Sequence, residues 1–101
     1  NQFEDMTNEA FLTAFQKLAD DYEKLVEDFQ KNPSDETINN KITDLSERWG
    51  DFMTYFYDNE DDFSDDDYQQ VLEIEKRLMI ASRIFIREST INSSYTKPIG
   101  V

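Results

Sequence analysis

Hydrophobic side chains recur along this chain at helical spacing, in three stretches separated by breaks. In the first, Phe11, Phe15, Leu18, Tyr22, Leu25 and Phe29 follow one another by alternating steps of four and three residues. Leu12, Ala19 and Val26 widen that stripe by one flanking position. The result is the broad apolar face of a bundle helix rather than the narrow seam of a two-stranded coil. The opposite face carries Glu9, Gln16, Asp20, Glu23 and Glu27, with Lys17, Lys24 and Lys31 beside it. Thr7 or Asn8 can cap the start, and Glu9 suits the positive end of the helix dipole. The pattern predicts a helix over about 8–31.

Asn32-Pro33-Ser34 interrupts it, because proline cannot continue the hydrogen-bond ladder and Ser34 can cap a new helix. Ile38, Ile42, Leu45, Trp49, Phe52 and Phe56 then repeat the spacing and predict a second helix over about 35–57. Gly50 falls inside it, at a cost of about 1 kcal/mol relative to Ala. It marks a bend, an end or a close approach, and the register of Phe52 and Phe56 favours continuity. A connection this short makes an antiparallel pair of helices.

The third stretch, Ser64–Glu88, is of another kind. It opens on Asp65, Asp66 and Asp67, closes on Arg83 and Arg87, and is apolar on most of its circumference between them. Only the line Glu73, Lys76, Arg83, Arg87 reads polar, and Ile80 interrupts it. Helices apolar all round are normally buried, so the pattern makes 65–88 the central helix. Ser64 caps it, with Asp67 placed to return the bond. The expected fold is all-α, a single-domain up-down-up three-helix bundle. Residues 1–6 form a polar lead-in with Phe3 and Met6 as anchors. Residues 89–101 shift to Ser, Thr, Asn and Tyr, which predicts an irregular tail docking through Ile91, Tyr95 and Ile99.

Composition narrows the chemistry. A chain of 101 residues with 14% aromatic residues can fill one core but not two. It has no His and no Cys, which removes the commonest catalytic base, thiolate metal sites and disulfides. The longest uninterrupted apolar run is Leu78–Ala81, far too short to span a bilayer. Net charge is −13 and unevenly spread. Residues 1–75 carry 22 acidic and 5 basic side chains, a balance of −17. Residues 76–101 carry 1 acidic and 5 basic, a balance of +4. Such a body repels nucleic acid and anionic membrane and attracts basic surfaces. The absence of Cys fits a reducing, cytoplasmic setting.

Seven of the ten residues 58–67 are acidic, which makes this hinge the loudest signal in the chain. Read as a calcium loop from Asp62, it offers oxygen ligands at Asp62, Ser64, Asp66 and Glu73. However, Asp67 stands where the loop needs glycine, and Gln69 where it needs an apolar residue. The other reading is charge imitation, in which Asp58, Glu60, Asp61, Asp62, Asp65 and Asp66 present carboxylates much as a nucleic-acid backbone presents phosphates. Asp20, Glu23 and Glu27 on the first helix would extend that stripe. In charge and size the chain resembles small acidic helical proteins of phages and mobile elements that block nucleic-acid-binding enzymes. That resemblance of profile rests on no shared motif.

Tyr55, Tyr57, Phe63 and Tyr68 surround the hinge as aromatic anchors for a partner offering Arg or Lys, or else they close the end of the core. Glu73 is placed to pair with Arg77 one turn on, whereas Arg83 and Arg87 find no acid at helical distance on their own helix. Glu75, between Leu72, Leu78 and Met79, reads as a half-buried carboxylate with no partner base. None of this assembles a catalytic constellation, and no metal or cofactor is expected. The expected function is that of a non-enzymatic binder of a basic protein surface, such as that of a nucleic-acid-binding enzyme. The alternative is an assembly subunit or homodimer built on the apolar helix.

Overall fold

The computed structural model describes residues 2–96, with side chains through residue 91. Three helices, α1 (Asn8–Lys31), α2 (Glu36–Asp58) and α3 (Asp65–Thr96), run up, down and up, with a 3-10 turn at Glu60–Asp62 before α3. The sequence pattern places these helices to within a residue or two, except at the end of α3.

Local chemistry sets each start. Thr7 Oγ1 accepts from the Ala10 amide at 3.0 Å. Asp35, rather than Ser34, caps α2 and accepts from the amides of Thr37 and Ile38 at 2.8 and 3.3 Å. An ionised carboxylate two residues past the proline makes a stronger acceptor there than a hydroxyl. Ser64 Oγ accepts from the Asp67 amide at 3.1 Å and opens α3 as expected.

Helix α2 runs unbroken through Gly50, and no atom lies within 4 Å of where a Cβ would stand. Close approach of a neighbour is therefore not the reason for this glycine. Gly50→Ala should stabilise the protein by about 1 kcal/mol, the helix-interior difference between the two residues. Urea unfolding measures this, and a destabilised variant would refute it.

The centre of the bundle is α1, not α3. Both other helices pack on α1 and make only marginal contact with each other. The core side chains of α1 include Phe11, Phe15, Leu18, Tyr22, Val26 and Phe29. Phe15 stacks on Phe52 of α2 at 5.0 Å, and Phe29 meets Phe85 of α3 edge-on at 4.9 Å. From α3, Val71, Ile74, Leu78 and Ala81 are buried, a single seam with three- and four-residue steps. Met79, Ile80, Ile86 and Ile91 remain 42–61% exposed. An elongated body of 57 × 22 × 21 Å cannot enclose a third helix on all sides. The expectation of a buried α3 fails because an all-round apolar pattern asks for neighbours that two short helices cannot supply.

Helix α3 also continues through residues 89–96, where the composition shift predicts an irregular tail. Ser, Thr and Asn are indifferent helix formers rather than breakers, and Thr90 returns its hydroxyl to the Ile86 carbonyl at 2.9 Å. Ile91 lies on the exposed helix surface rather than docking, while the Tyr95 side chain and Ile99 lie outside the described residues. Phe3, in contrast, anchors the lead-in as expected, 4% exposed against Phe11, Phe52 and Tyr55.

Candidate functional site

The hinge end is built on a packed aromatic floor. Phe63 is buried, edge-on to Phe11 at 5.3 Å and to Phe56 at 5.0 Å. Tyr55 is half-buried over Phe3 and Phe11, at 5.0 and 5.5 Å, and Tyr68 is half-buried against Phe56 at 5.2 Å. Three of the four expected anchors therefore close the core end instead of facing a partner. A tyrosine suits such a position, its ring packed inward and its hydroxyl toward water. Only Tyr57 stands out, 55% exposed. Nearby Glu75, itself half-buried, disfavours a second negative charge, so the Tyr57 phenol titrates above its ordinary value.

Above this floor the acid is fixed in place. Asn59 caps α2, its amide bonded to the Tyr55 and Phe56 carbonyls at 3.1 Å. Its side-chain nitrogen donates to the Tyr55 carbonyl at 2.9 Å. The Asp62 amide bonds back to Asn59 at 2.9 Å, and the Asp62 carbonyl accepts from Asn8 Nδ2 of α1 at 2.8 Å. Asp58, Glu60, Asp61, Asp62, Asp65 and Asp66 are all exposed on this short framework. None of them forms an ion pair among the described residues.

The calcium reading does not survive this geometry. Residues 65–73 are α-helical, so Asp66 and Glu73 are held along a helix and cannot wrap an ion with Asp62 and Ser64. Among the described residues no group of three acidic side chains is placed to hold a metal.

The acidic stripe of α1 is largely taken up inside the fold. Arg77 of α3 reaches across with Nε 3.1 Å from Glu23 Oε2 and Nη2 2.7 Å from Glu23 Oε1. The same Nη2 lies 2.6 Å from Asp20 Oδ1. These carboxylates hold the guanidinium charged, with its pKa above the ordinary arginine value. Asp20 and Glu23 thus serve to join α1 to α3, and of the three only Glu27 forms no ion pair among the described residues. Arg77 prefers these two to its expected neighbour Glu73, because Glu23 meets the guanidinium fork with both oxygens.

Compared with known proteins, the chain matches no family model, no curated protein and no solved structure. The reading of the surface therefore rests on its chemistry.

Two further surface features lie away from the hinge. An open groove of about 520 Å³ lies between α1 and α2, floored by Leu25 and Leu45 and rimmed by Asp21, Lys24, Lys41, Asp44 and Arg48. Its charges nearly cancel, and Lys24 is bound to Asp28 at 2.7 Å, so it offers no converging polar groups. The second is the apolar surface of α3 around Met79 and Ile80. Arg83 and Arg87 stand exposed on it and form no ion pair among the described residues. Among those residues, no helix is long and apolar enough to cross a membrane.

Proposed function

We propose that this protein is a non-enzymatic interaction module that sets its acidic hinge end against a basic surface of a protein partner. What supports the reading is the exposed array of Asp58, Glu60, Asp61, Asp62, Asp65 and Asp66, which forms no ion pair among the described residues, beside the exposed Tyr57. Carboxylates on a rigid turn attract a basic partner at long range and lose little entropy when it arrives. Tyr57 adds an aromatic face on which an arginine can settle. A nucleic-acid-binding enzyme is the partner class that fits best, since its working surface already receives closely spaced negative charge. The protein would then act by occupying that surface.

The test is capture of partners on the immobilised protein from cells of its source, with elution by rising salt and separately by double-stranded DNA. A nucleic-acid-binding protein released by both is expected. Asp61→Asn, Asp62→Asn and Asp66→Asn together should abolish its capture and leave the unfolding midpoint unchanged. Those side chains are exposed, and the backbone bonds that hold the turn do not use them. Undiminished capture by the triple variant would overturn the proposal.

A further inference from the structure

Glu73, Ile80 and Arg87 lie two helical turns apart in succession, on one line along α3. All three are exposed, and Glu73 precedes Ile80 by the same interval at which Arg87 follows it. We infer that this line is a self-complementary interface, on which the α3 helix of a second copy of the chain packs antiparallel about a two-fold axis at Ile80.

Symmetry makes the pairing follow from the sequence order. In a two-fold antiparallel contact centred on Ile80, Ile80 meets Ile80, and the residues equally far before and after it face each other. Glu73 of each chain then meets Arg87 of the other, twice. The exposed Ile91 comes opposite Gln69, and the half-buried Ile84 comes opposite the aliphatic stem of Lys76. In a parallel arrangement Glu73 would face Glu73 and Arg87 would face Arg87, which is repulsive on both counts.

Three observations favour a second copy over other occupants. Among the described residues the large exposed aliphatic side chains, Met79, Ile80, Ile86 and Ile91, all belong to α3, with Ile80 and Ile91 on this line and Met79 and Ile86 to one side of it. Arg83 and Arg87 form no ion pair among the described residues. For Arg87 the chain itself supplies a carboxylate, Glu73, at matching distance on the same helix, and Arg83 comes opposite Arg77, whose charge Asp20 and Glu23 already balance. Residues 76–101 are, moreover, the part of this acidic chain with a positive balance, +4 against −17 for the rest. A second strongly acidic body meets least repulsion along this face.

Sedimentation of the full chain from low to high micromolar concentration should show a reversible dimer. Glu73→Arg alone and Arg87→Glu alone each place like charges opposite one another twice. Each should weaken dimerisation by about tenfold or more. The double variant Glu73→Arg/Arg87→Glu restores both attractions with the chain order reversed, and it should dimerise as the wild type does. Both positions are exposed, so the variants should keep the helical circular dichroism of the parent. A wild type that stays monomeric throughout would overturn the inference, as would a double variant no better than its parents. Because Asp61, Asp62 and Asp66 are untouched by these changes, the outcome is independent of binding at the hinge end.

Discussion

Phe11→Ala should lower the unfolding free energy by about 3–5 kcal/mol, the range for deleting a buried aromatic ring. Phe11 is 1% exposed and touches Phe3, Phe15, Phe52, Tyr55 and Phe63, with ring centres 5.2–6.0 Å away. It is thus the ring that ties the N-terminal lead-in, α1, α2 and the hinge into one cluster. Its loss removes the transfer free energy of the ring and leaves a cavity that five stiff aromatic neighbours cannot close. The loss is large against the total stability of a domain this size, about 5–15 kcal/mol. Urea unfolding reads it directly. Amide exchange at Asp62 and Phe63 should accelerate as well, because their turn rests on this ring. A loss below about 1 kcal/mol would mean that the cluster is looser than its geometry indicates. Tyr57→Ala, on the exposed side of the same end, should stay within about 0.5 kcal/mol.

Arg77→Gln should destabilise the protein by about 1–2 kcal/mol at low salt, the second-largest effect expected. The side chains of Arg77, Glu23 and Asp20 are 34%, 43% and 64% exposed, so water screens the pairs and the losses typical of buried ion pairs do not apply. What lifts the effect above that of an isolated surface pair is the two-point grip on Glu23 and the second carboxylate of Asp20. Removing the guanidinium also leaves those two acids facing an uncharged surface in an already acidic protein. Salt should shrink the difference. Arg77→Lys should recover only part of it, because an ammonium cannot reproduce the planar fork. The clamp holds the guanidinium pKa above its ordinary value. On the alkaline side its contribution is therefore complete up to the unfolded arginine value and is lost only as pH rises through the folded one. Between neutral pH and mildly alkaline pH the Arg77→Gln difference should not change, and a decline there would show that something other than the guanidinium is titrating.

Both effects bear on function through the same arrangement. Phe11 supports the turn that displays Asp61 and Asp62, and Arg77 fixes α3 at the height where Ile80 faces outward. The hinge end lies toward the start of α3, and the proposed dimer face is centred at Ile80, about one turn past the clamp. If both proposals hold, the protein joins to itself through one surface while presenting the other.

How much of this was legible beforehand differs from element to element. Phe11, Phe15, Leu18, Tyr22 and Phe29 announce α1 by spacing alone, since helical period and burial are one constraint seen twice. Thr7 and Ser64 announce their caps, because a cap needs only a local hydroxyl and an amide three residues on. The end of α3 was misread, since Ser89, Thr90 and Asn92 weaken a helix by tenths of a kcal/mol each without stopping it. Among the candidate site residues, the exposed hinge acids could be recognised from their own chemistry. Tyr55, Phe63 and Tyr68 could not, because an aromatic ring near a turn suits a core end and a partner equally well.

What the sequence by itself determined is therefore local: three helices, their starts, the short turns between them, an acidic first part and a basic last stretch. These follow from periodicity, capping and charge, each of which acts between residues near in the chain. The tertiary structure alone decided which helix is central, which aromatics are buried, and that Arg77 answers to Asp20 and Glu23 rather than to Glu73. Each of those is a competition among distant partners for limited surface. An apolar pattern states how much a helix can bury, and only the packing of its neighbours decides how much it does.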